Sequence, residues 1–217
     1  MKAALYATSF PLRRQLDDGL ARMGIDLDES QRERLLQYVA LLEKWNKVYN
    51  LTAVREPDRM VDLHLLDSLS ILPHLAGLAS MIDVGTGGGL PGIPLAVANP
   101  TLRVTMLDSI SKKTAFVRQT IGELRLKNAD VITSRVEDFV PDSLFDAVIS
   151  RAFAELKDFV DSAGRLCADE GVLLAMKGVY PHDEIGRLPV GYVVAAVVAL
   201  NVPGVESQRH LVVIKKN

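Results

Sequence analysis

One stretch of the chain decides the fold, and it reads Met81-Ile82-Asp83-Val84-Gly85-Thr86-Gly87-Gly88-Gly89-Leu90-Pro91-Gly92. Its first four residues predict a short buried strand, and the residues from Pro91 to Ala98 predict a helix. The glycines between them allow a sharp turn and let a ligand approach the backbone closely. A strand, a glycine turn and a helix in this order are typical of the ligand-binding edge of a parallel α/β sheet.

Beyond this stretch the chain alternates short strands with helices. Strands are predicted over residues 81–84, 103–107, 129–133, 145–150, 171–176, 192–200 and 210–215, and helices over 91–98, 111–126 and 154–168. This alternation predicts an α/β fold with a mostly parallel seven-stranded sheet and helices on both faces. The last two strands follow each other directly, so a hairpin is expected to leave one strand antiparallel.

The part before residue 78 has a different, helical pattern. Leu12, Leu16, Leu20 and Met23 recur at helical spacing before Gly24, which is expected to end the first helix. Asp28 or Ser30 can cap a second helix, and a third is expected from Asp58 to Leu75, broken near Pro73. Residues 1–77 are therefore expected to form a helical N-terminal extension, with no role assigned to residues 1–10.

Composition excludes several classes of protein. The chain is 48% hydrophobic and 24% charged, as soluble globular proteins are, and its net charge of -2 argues against nonspecific coating of nucleic acid. The apolar run at 190–200 is too short to cross a bilayer, and the N-terminus is too short and polar for a signal peptide. A single cysteine, Cys167, rules out an internal disulfide and is expected to be a buried apolar side chain. A cytoplasmic monomer without a metal is expected.

Two aspartates separate the possible ligands of the glycine turn. The glycine spacing alone would also suit a nicotinamide dinucleotide, whose pyrophosphate lies over the helix N-terminus. Asp83 would repel that pyrophosphate but suits S-adenosylmethionine, which carries a sulfonium and an ammonium. Asp108, 25 residues later at the end of the second strand, can accept both ribose hydroxyls. Together the two acids favour S-adenosylmethionine.

The region from 103 to 135 is basic, with seven Lys or Arg residues against three acidic ones. An RNA-binding surface and a solvated helix face explain this about equally well. The candidate RNA contacts are Lys112, Lys113 and Arg118, with Lys177 after the fifth strand as a fourth. The turn after the third strand, residues 133–138, is expected to reach an adenine; the alternative for its acids is a helix N-terminal pair favoured by the macrodipole.

Several separate motifs are shared with one known family. They are Trp45-Asn46-Lys47-Val48-Tyr49-Asn50-Leu51-Thr52-Ala53, His64-Leu65-Leu66-Asp67-Ser68-Leu69, the stretch from Asp83 to Pro94, Leu107-Asp108-Ser109 with Lys112-Lys113, Arg135-Val136-Glu137-Asp138, and Ser150-Arg151-Ala152-Phe153-Ala154. From about Leu35 to its C-terminus, the sequence resembles the bacterial 16S ribosomal RNA guanine-N7 methyltransferases, the RsmG or GidB family.

The resemblance implies a Rossmann-like class I S-adenosylmethionine-dependent methyltransferase domain over residues 78–217, preceded by the helical extension. It implies methylation of a guanine N7 in 16S rRNA of the small ribosomal subunit or an assembly intermediate. It also carries cofactor contacts over to this chain, and the residue arguments add further ones. The expected cofactor-binding set is Asp83, Gly85, Gly87, Leu90, Asp108, Val136, Glu137 and Arg151.

Chemistry at N7 requires little of the protein. Guanine N7 has an exposed lone pair and no proton to lose, so in-line transfer by proximity and orientation needs no general base. No catalytic residue is therefore expected, and Arg151, after the fourth strand, is the best candidate to orient substrate or cofactor. A hydrogen-bonded structural pair is expected for His64 and Asp67, with a catalytic dyad as the alternative; packing is expected for Trp45 and Tyr49, with base stacking as the alternative.

Three other functions remain open from the residues alone. They are a methyltransferase acting on a protein or small molecule, a nicotinamide-dependent oxidoreductase, and an RNA-binding assembly factor that retains a cofactor pocket without catalysis. Asp83 opposes the oxidoreductase, and so does the lack of a closely spaced Tyr/Lys pair.

Overall fold

The computed structural model describes the backbone of residues 2–217 and the side chains of residues 10–217. The first nine side chains, to which the expectation of no signal peptide refers, lie outside the described part. Its centre is a seven-stranded sheet. The strands are β1 (Ser80–Val84), β2 (Arg103–Asp108), β3 (Ala129–Thr133), β4 (Phe145–Ser150), β5 (Cys167–Lys177), β6 (Tyr192–Ala199) and β7 (His210–Lys216). Their order is β3-β2-β1-β4-β5-β7-β6, and β7 runs antiparallel to both of its neighbours while β1 to β5 are parallel. The predicted fold class is confirmed.

Helices precede the sheet and cover both of its faces. They are α1 (Lys2–Met23), α2 (Glu29–Tyr49), α3 (Pro57–Met60), α4 (Asp67–Leu69), α5 (Gly92–Ala98), α6 (Ser111–Leu124), α7 (Leu156–Ala163) and α8 (His182–Ile185). Of the two predicted caps of α2, Asp28 is the one found, since its carboxylate accepts the N–H of Gln31 while the Gln31 side chain accepts the N–H of Asp28, each at 2.8 Å. Within residues 2–217, no helix combines the length and apolar character needed to cross a membrane.

The predicted third helix is wrong as a single element. A π-helix (Val61–Leu66) separates α3 from α4, and a 3₁₀ turn (Leu72–Leu75) follows. The backbone N–H of Asp67 reaches back to the carbonyl of Asp62, five residues earlier, which widens the helix at this point. Helical periodicity alone does not distinguish such a segmented helix from a continuous one.

The second half also differs from prediction in two places. The helix predicted over residues 154–168 is shorter in the structure, where α7 covers only Leu156–Ala163. The chain then passes through a 3₁₀ turn (Gly164–Leu166), and Cys167 already pairs with Phe145 as the first residue of β5. Cys167 is buried there, and burial raises the pKa of its thiol to about 11. The short helix α8 follows β5 and has no counterpart in the sequence prediction.

A continuous hydrophobic core joins the helical extension to the sheet. Leu16 of α1 and Leu42 of α2 belong to the same buried cluster as Phe116 of α6 and Ile149 of β4. A second cluster, centred on Phe159 of α7, fills the opposite face. The expected boundary at residue 77 therefore separates two parts of the chain that share one core.

Tyr38 ties the extension to the glycine turn. Its side chain is fully buried, and its hydroxyl donates a 2.7 Å hydrogen bond to the carbonyl of Gly88. We expect Tyr38→Phe to lower the free energy of unfolding by about 1 kcal/mol, because the Gly88 carbonyl loses a buried donor. Urea denaturation measures this, with Tyr49→Phe, at a side chain that is 40% exposed, as the control. Equal stability of the two variants would contradict the role given to the Tyr38 hydroxyl.

Candidate functional site

The glycine turn leaves β1 and bends at once against its neighbours. Gly85 has a φ of 73°, and a Cβ at this position would lie 2.7 Å from the Cβ of Ala152. The N–H groups of Gly85 and Thr86 both donate to the carbonyl of Leu107, at 2.8 and 3.0 Å. A side chain is therefore excluded at Gly85 by both backbone conformation and space.

Two cavities lie at the carboxyl ends of the parallel strands and share Gly85 and Ala152 in their walls; each is named after the ligand that the sequence leads us to expect there. The larger, of about 340 Å³, is the adenosine-side cavity of the following text, and its walls are Val84, Gly85, Leu107, Asp108, Ser109, Ile110, Lys113, Ser134, Arg135, Val136, Glu137, Ala152 and Phe153. The smaller, of about 180 Å³, is the acceptor-side cavity, and its walls are Leu51, Thr52, Gly85, Thr86, Gly87, Gly88, Leu90, Arg151 and Ala152. Together they form a site of the size that small cofactors occupy.

Asp108 is held in place at the adenosine-side cavity. Its carboxylate is 6% exposed, and its two oxygens accept the backbone N–H groups of Gly87 and Ile110, each at 2.9 Å. The Lys113 ammonium lies 3.5 Å from the same carboxylate. Each carboxylate oxygen keeps a further lone pair, so Asp108 can still accept hydrogen bonds from a ligand.

Asp83 lies behind the glycine turn and lines neither cavity. It is fully buried, and its Oδ2 accepts hydrogen bonds from the Thr86 hydroxyl at 2.6 Å and the Gly92 N–H at 2.9 Å. Its Oδ1 has no hydrogen-bond partner among the described residues. Burial raises the pKa of Asp83 to about 6. The expected direct contact with a cofactor is thus not the geometry found; Asp83 braces the turn from beneath.

Val136 and Glu137 line the adenosine-side cavity, in the turn after β3. Arg165, which the sequence did not single out, holds this turn. Its guanidinium donates to the carbonyls of Val136, Glu137 and Phe139, the last two at 3.2 and 2.7 Å. No spacing in the sequence signals this role, because Arg165 lies far along the chain in the 3₁₀ turn after α7.

Arg151 reaches the acceptor-side cavity from the end of β4. Its Nη1 donates to Oδ2 of Asp67 at 3.0 Å, and the other oxygen of Asp67 accepts from Nε of Arg209 at 2.9 Å. His64 instead lies 2.9 Å from the hydroxyl of Thr52. The expected hydrogen-bonded pair of His64 and Asp67 is wrong, because each has its own partner.

His64 is held in its neutral form. Burial, assisted by the nearby positive charge of Arg151, lowers the pKa of His64 to about 4. Trp45 packs its ring against Phe116 and Tyr49, with ring centroids 5.5 and 5.1 Å apart, in keeping with the packing role expected for it. Among the residues described, no cluster of three or more His, Cys, Asp or Glu side chains could hold a metal ion.

The four candidate RNA contacts have different surroundings. Lys112 and Arg118 are exposed on α6, whereas Lys113 faces Asp108 in the adenosine-side cavity. The expectation for Lys177 is wrong, since its ammonium lies 2.9 Å from the Glu184 carboxylate, also donates to the carbonyl of Ala154, and its side chain is only 11% exposed. Helix α8, which the sequence did not predict, brings Glu184 to this position.

Comparison with known proteins identifies similar chains. Residues 31–212 match the family model described as rRNA small subunit methyltransferase G. The chain is 54% identical over 198 residues to the ribosomal RNA small subunit methyltransferase G of Chromobacterium violaceum, covering 91% of this chain and 95% of the relative. It is 52% identical over 204 residues to the protein of the same name from Neisseria meningitidis serogroup C, covering 94% and 98%.

Two solved structures resemble the fold at low identity. A SAM-dependent methyltransferase from Aquifex aeolicus superposes with a TM-score of 0.57 at 21% identity, covering 73% of this chain and 93% of that one. An O-methyltransferase of neocarzinostatin biosynthesis, in complex with S-adenosylmethionine, superposes with a TM-score of 0.55 at 19% identity, covering 70% and 56%. At this identity the likeness shows the fold alone.

The raised pKa of Asp83 gives stability a specific pH dependence. Its value in an unfolded chain is about 3.9, so between pH 4 and 6 the folded state retains a proton that the unfolded state has lost. The stability that this proton contributes is present at pH 4 and is lost as the pH rises to 6. We expect wild type to lose stability relative to Asp83→Asn across this range and to change little relative to it above pH 7.

Urea denaturation of both proteins at several pH values measures the difference. Asp26→Asn, at a fully exposed carboxylate, serves as the control for the change of charge. A difference between wild type and Asp83→Asn that stays constant from pH 4 to 7 would show that Asp83 does not titrate in this range.

Proposed function

We propose that this chain, which belongs to the rRNA small subunit methyltransferase G family and is an S-adenosylmethionine-dependent rRNA methyltransferase, modifies N7 of one guanine in the 16S rRNA of the small subunit. The observation that carries the proposal is the pair of cavities meeting at Gly85 and Ala152, because one can take the nucleoside of the cofactor and the other an acceptor base. Family membership excludes the nicotinamide-dependent oxidoreductase considered from the glycine spacing.

The residues of the adenosine-side cavity fit the cofactor. Asp108 would accept the ribose hydroxyls, and the apolar side chain of Val136 with Glu137 would face the adenine. Gly85, Gly87 and Leu90 would contact the part of the cofactor that lies nearest the glycine turn. When bound, the cofactor supplies an electrophilic methyl group on a sulfonium. Asp83 acts from beneath the turn, where its unpartnered Oδ1 leaves negative charge that favours a cation above it.

The protein orients the reacting groups in this proposal and moves no proton. Guanine N7 attacks with a lone pair, so no general base is required, and in-line positioning accounts for the rate. His64, whose Nε2 lies 2.9 Å from the hydroxyl of Thr52, serves as a structural partner of that hydroxyl at the wall of the acceptor-side cavity. Arg151 lines the acceptor-side cavity and orients cofactor or guanine through its guanidinium.

We further propose that the enzyme acts as a monomer in the bacterial cytoplasm, on the small subunit or an assembly intermediate, and that residues 1–77 serve as the extension that completes the acceptor side. Leu51 and Thr52, from that extension, line the acceptor-side cavity. The exposed side chains of Lys112 and Arg118 on α6 provide phosphate contacts for the rRNA, while Lys113 belongs to both the RNA surface and the cofactor site.

The direct test is methyl transfer from labelled S-adenosylmethionine to small subunits purified from cells that lack the enzyme, followed by mapping of N7-methylguanine on the rRNA. Label at one guanine of 16S rRNA is expected. Subunits from cells that contain the enzyme are the control and should accept little label. Transfer of the label to a protein or small molecule would contradict the proposed acceptor, a guanine of 16S rRNA. Cofactor binding without transfer would favour a function as a non-catalytic assembly factor.

The basic surface of α6 is tested by Lys112→Glu combined with Arg118→Glu. Subunit binding should weaken. The negative slope of log affinity against log salt should become shallower by about two, because two phosphate contacts are removed. Affinity for S-adenosylmethionine should stay unchanged, whereas the comparison variant Lys113→Glu should lower both affinities. If subunit binding by the double variant equals that of wild type, the exposed face of α6 is only solvated surface.

A further inference from the structure

The start of β7 brings a residue from a distant part of the chain to the functional edge of the sheet. Because β7 is antiparallel to β5, His210 pairs with Lys177 at the end of β5. Arg209 immediately precedes His210, at the edge where β1 and β4 also end. The sequence did not mark Arg209, since it lies outside the motifs around the glycine turn.

Asp67 holds Arg209 and Arg151 with a single carboxylate. Oδ1 accepts from Nε of Arg209 at 2.9 Å and Oδ2 from Nη1 of Arg151 at 3.0 Å. Asp67 is 6% exposed, whereas the two arginines are 26% (Arg151) and 22% (Arg209) exposed. The buried carboxylate of Asp67 neutralises one of the two cations. Arg151 and Arg209, together called the arginine pair, therefore keep one net positive charge that water and a ligand can reach.

The arginine pair also has unused hydrogen-bond donors. Arg209 directs Nε to Asp67, and its Nη1 donates to the hydroxyl of Ser207 and the carbonyl of Gln208, at 2.8 and 2.9 Å. Its Nη2 has no acceptor within the described residues. Arg151 uses only Nη1 there. A guanidinium held by these contacts, with the two N–H groups of Nη2 still free, is suited to donate charge-assisted hydrogen bonds to an oxyanion.

The two arginines face different parts of the site. Arg151 lines the acceptor-side cavity, but Arg209 lines neither the acceptor-side nor the adenosine-side cavity. A ligand that occupies the acceptor-side cavity and also reaches Arg209 therefore extends beyond the walls of both cavities. The polyanionic rRNA does so, because its phosphates continue on both sides of the acceptor base.

We propose that Arg209 binds a backbone phosphate of the rRNA next to the acceptor guanine, and that Asp67 is the positioning residue that holds Arg209 and Arg151 in register. This rests on the rRNA substrate proposed above and adds a phosphate site to it. The π-helix that precedes Asp67 is part of this arrangement, because the i to i−5 hydrogen bond fixes the backbone from which the carboxylate projects.

The test is steady-state kinetics of the full chain with small subunits as acceptor. Arg209→Gln is expected to raise KM for subunits about tenfold, as loss of a charge-assisted hydrogen bond does. It should lower the salt slope by about one and leave KM for S-adenosylmethionine unchanged. Arg209→Lys keeps the charge and should retain the salt slope while raising KM for subunits a few-fold, because a lysine cannot make all the contacts to Asp67, Ser207 and Gln208 that hold the guanidinium in place. Asp67→Asn should raise KM for subunits and also lower kcat, since it releases Arg151 as well.

Arg14→Gln, an exposed arginine of α1, is the matched control and should change neither KM. Thermal melting separates a structural role from phosphate binding. A lower Tm for Arg209→Gln with unchanged KM for subunits would overturn the proposal, and so would an effect on KM for S-adenosylmethionine alone. If Arg209→Gln fails to fold, an unchanged KM for subunits in Arg209→Lys overturns it equally. Failure of wild type to methylate subunits would instead refute the proposed function.

Discussion

The functional edge of this protein depends on the hydrogen bonds that Asp83 Oδ2 accepts from the Thr86 hydroxyl and the Gly92 N–H. They join the end of β1 to the turn and to the first residue of α5, so the glycines between are held in one conformation. A buried carboxylate in this position is costly unless it is hydrogen-bonded, and within the described part of the chain only one of its oxygens is. The negative charge of Asp83 thus lies beneath the glycine turn, whose own residues form part of the wall of the acceptor-side cavity.

The helical extension is as much a part of the site as the sheet. Tyr38 bonds to Gly88 within the turn, and Asp67 bonds to Arg151 at the end of β4. Leu51 and Thr52 form part of the acceptor-side cavity. The sheet alone would leave that side open, so the extension shapes the cavity that we propose for the acceptor base. Residues of the extension and of the sheet also share one core.

The features that could be predicted from the sequence are those set by residues close to one another along the chain. The glycine turn, the position of Asp108 at the end of β2 and the alternation of strands and helices after residue 78 follow from spacing and hydrophobic pattern, and each agrees with the structure. Partners contributed by distant elements could not be predicted. Lys177 looked like a free cation until α8 supplied Glu184, and the spacing of His64 and Asp67 suggested a pair although each bonds elsewhere. Helical spacing places two side chains on one face, but it does not choose the partner of either.

The position of β7 between β5 and β6 constrains how the molecule is made. The last strand in sequence lies inside the sheet, so β6 has no place to dock until residues 210–216 have left the ribosome. During synthesis β1 to β5 can assemble in chain order, but the neighbour of β5 is still missing. The polypeptide therefore reaches its complete sheet, and with it the Asp67 bridge to Arg209, only after elongation has passed the final strand. An enzyme that modifies ribosomal RNA is in this way kept incomplete for as long as that part of it is still being translated.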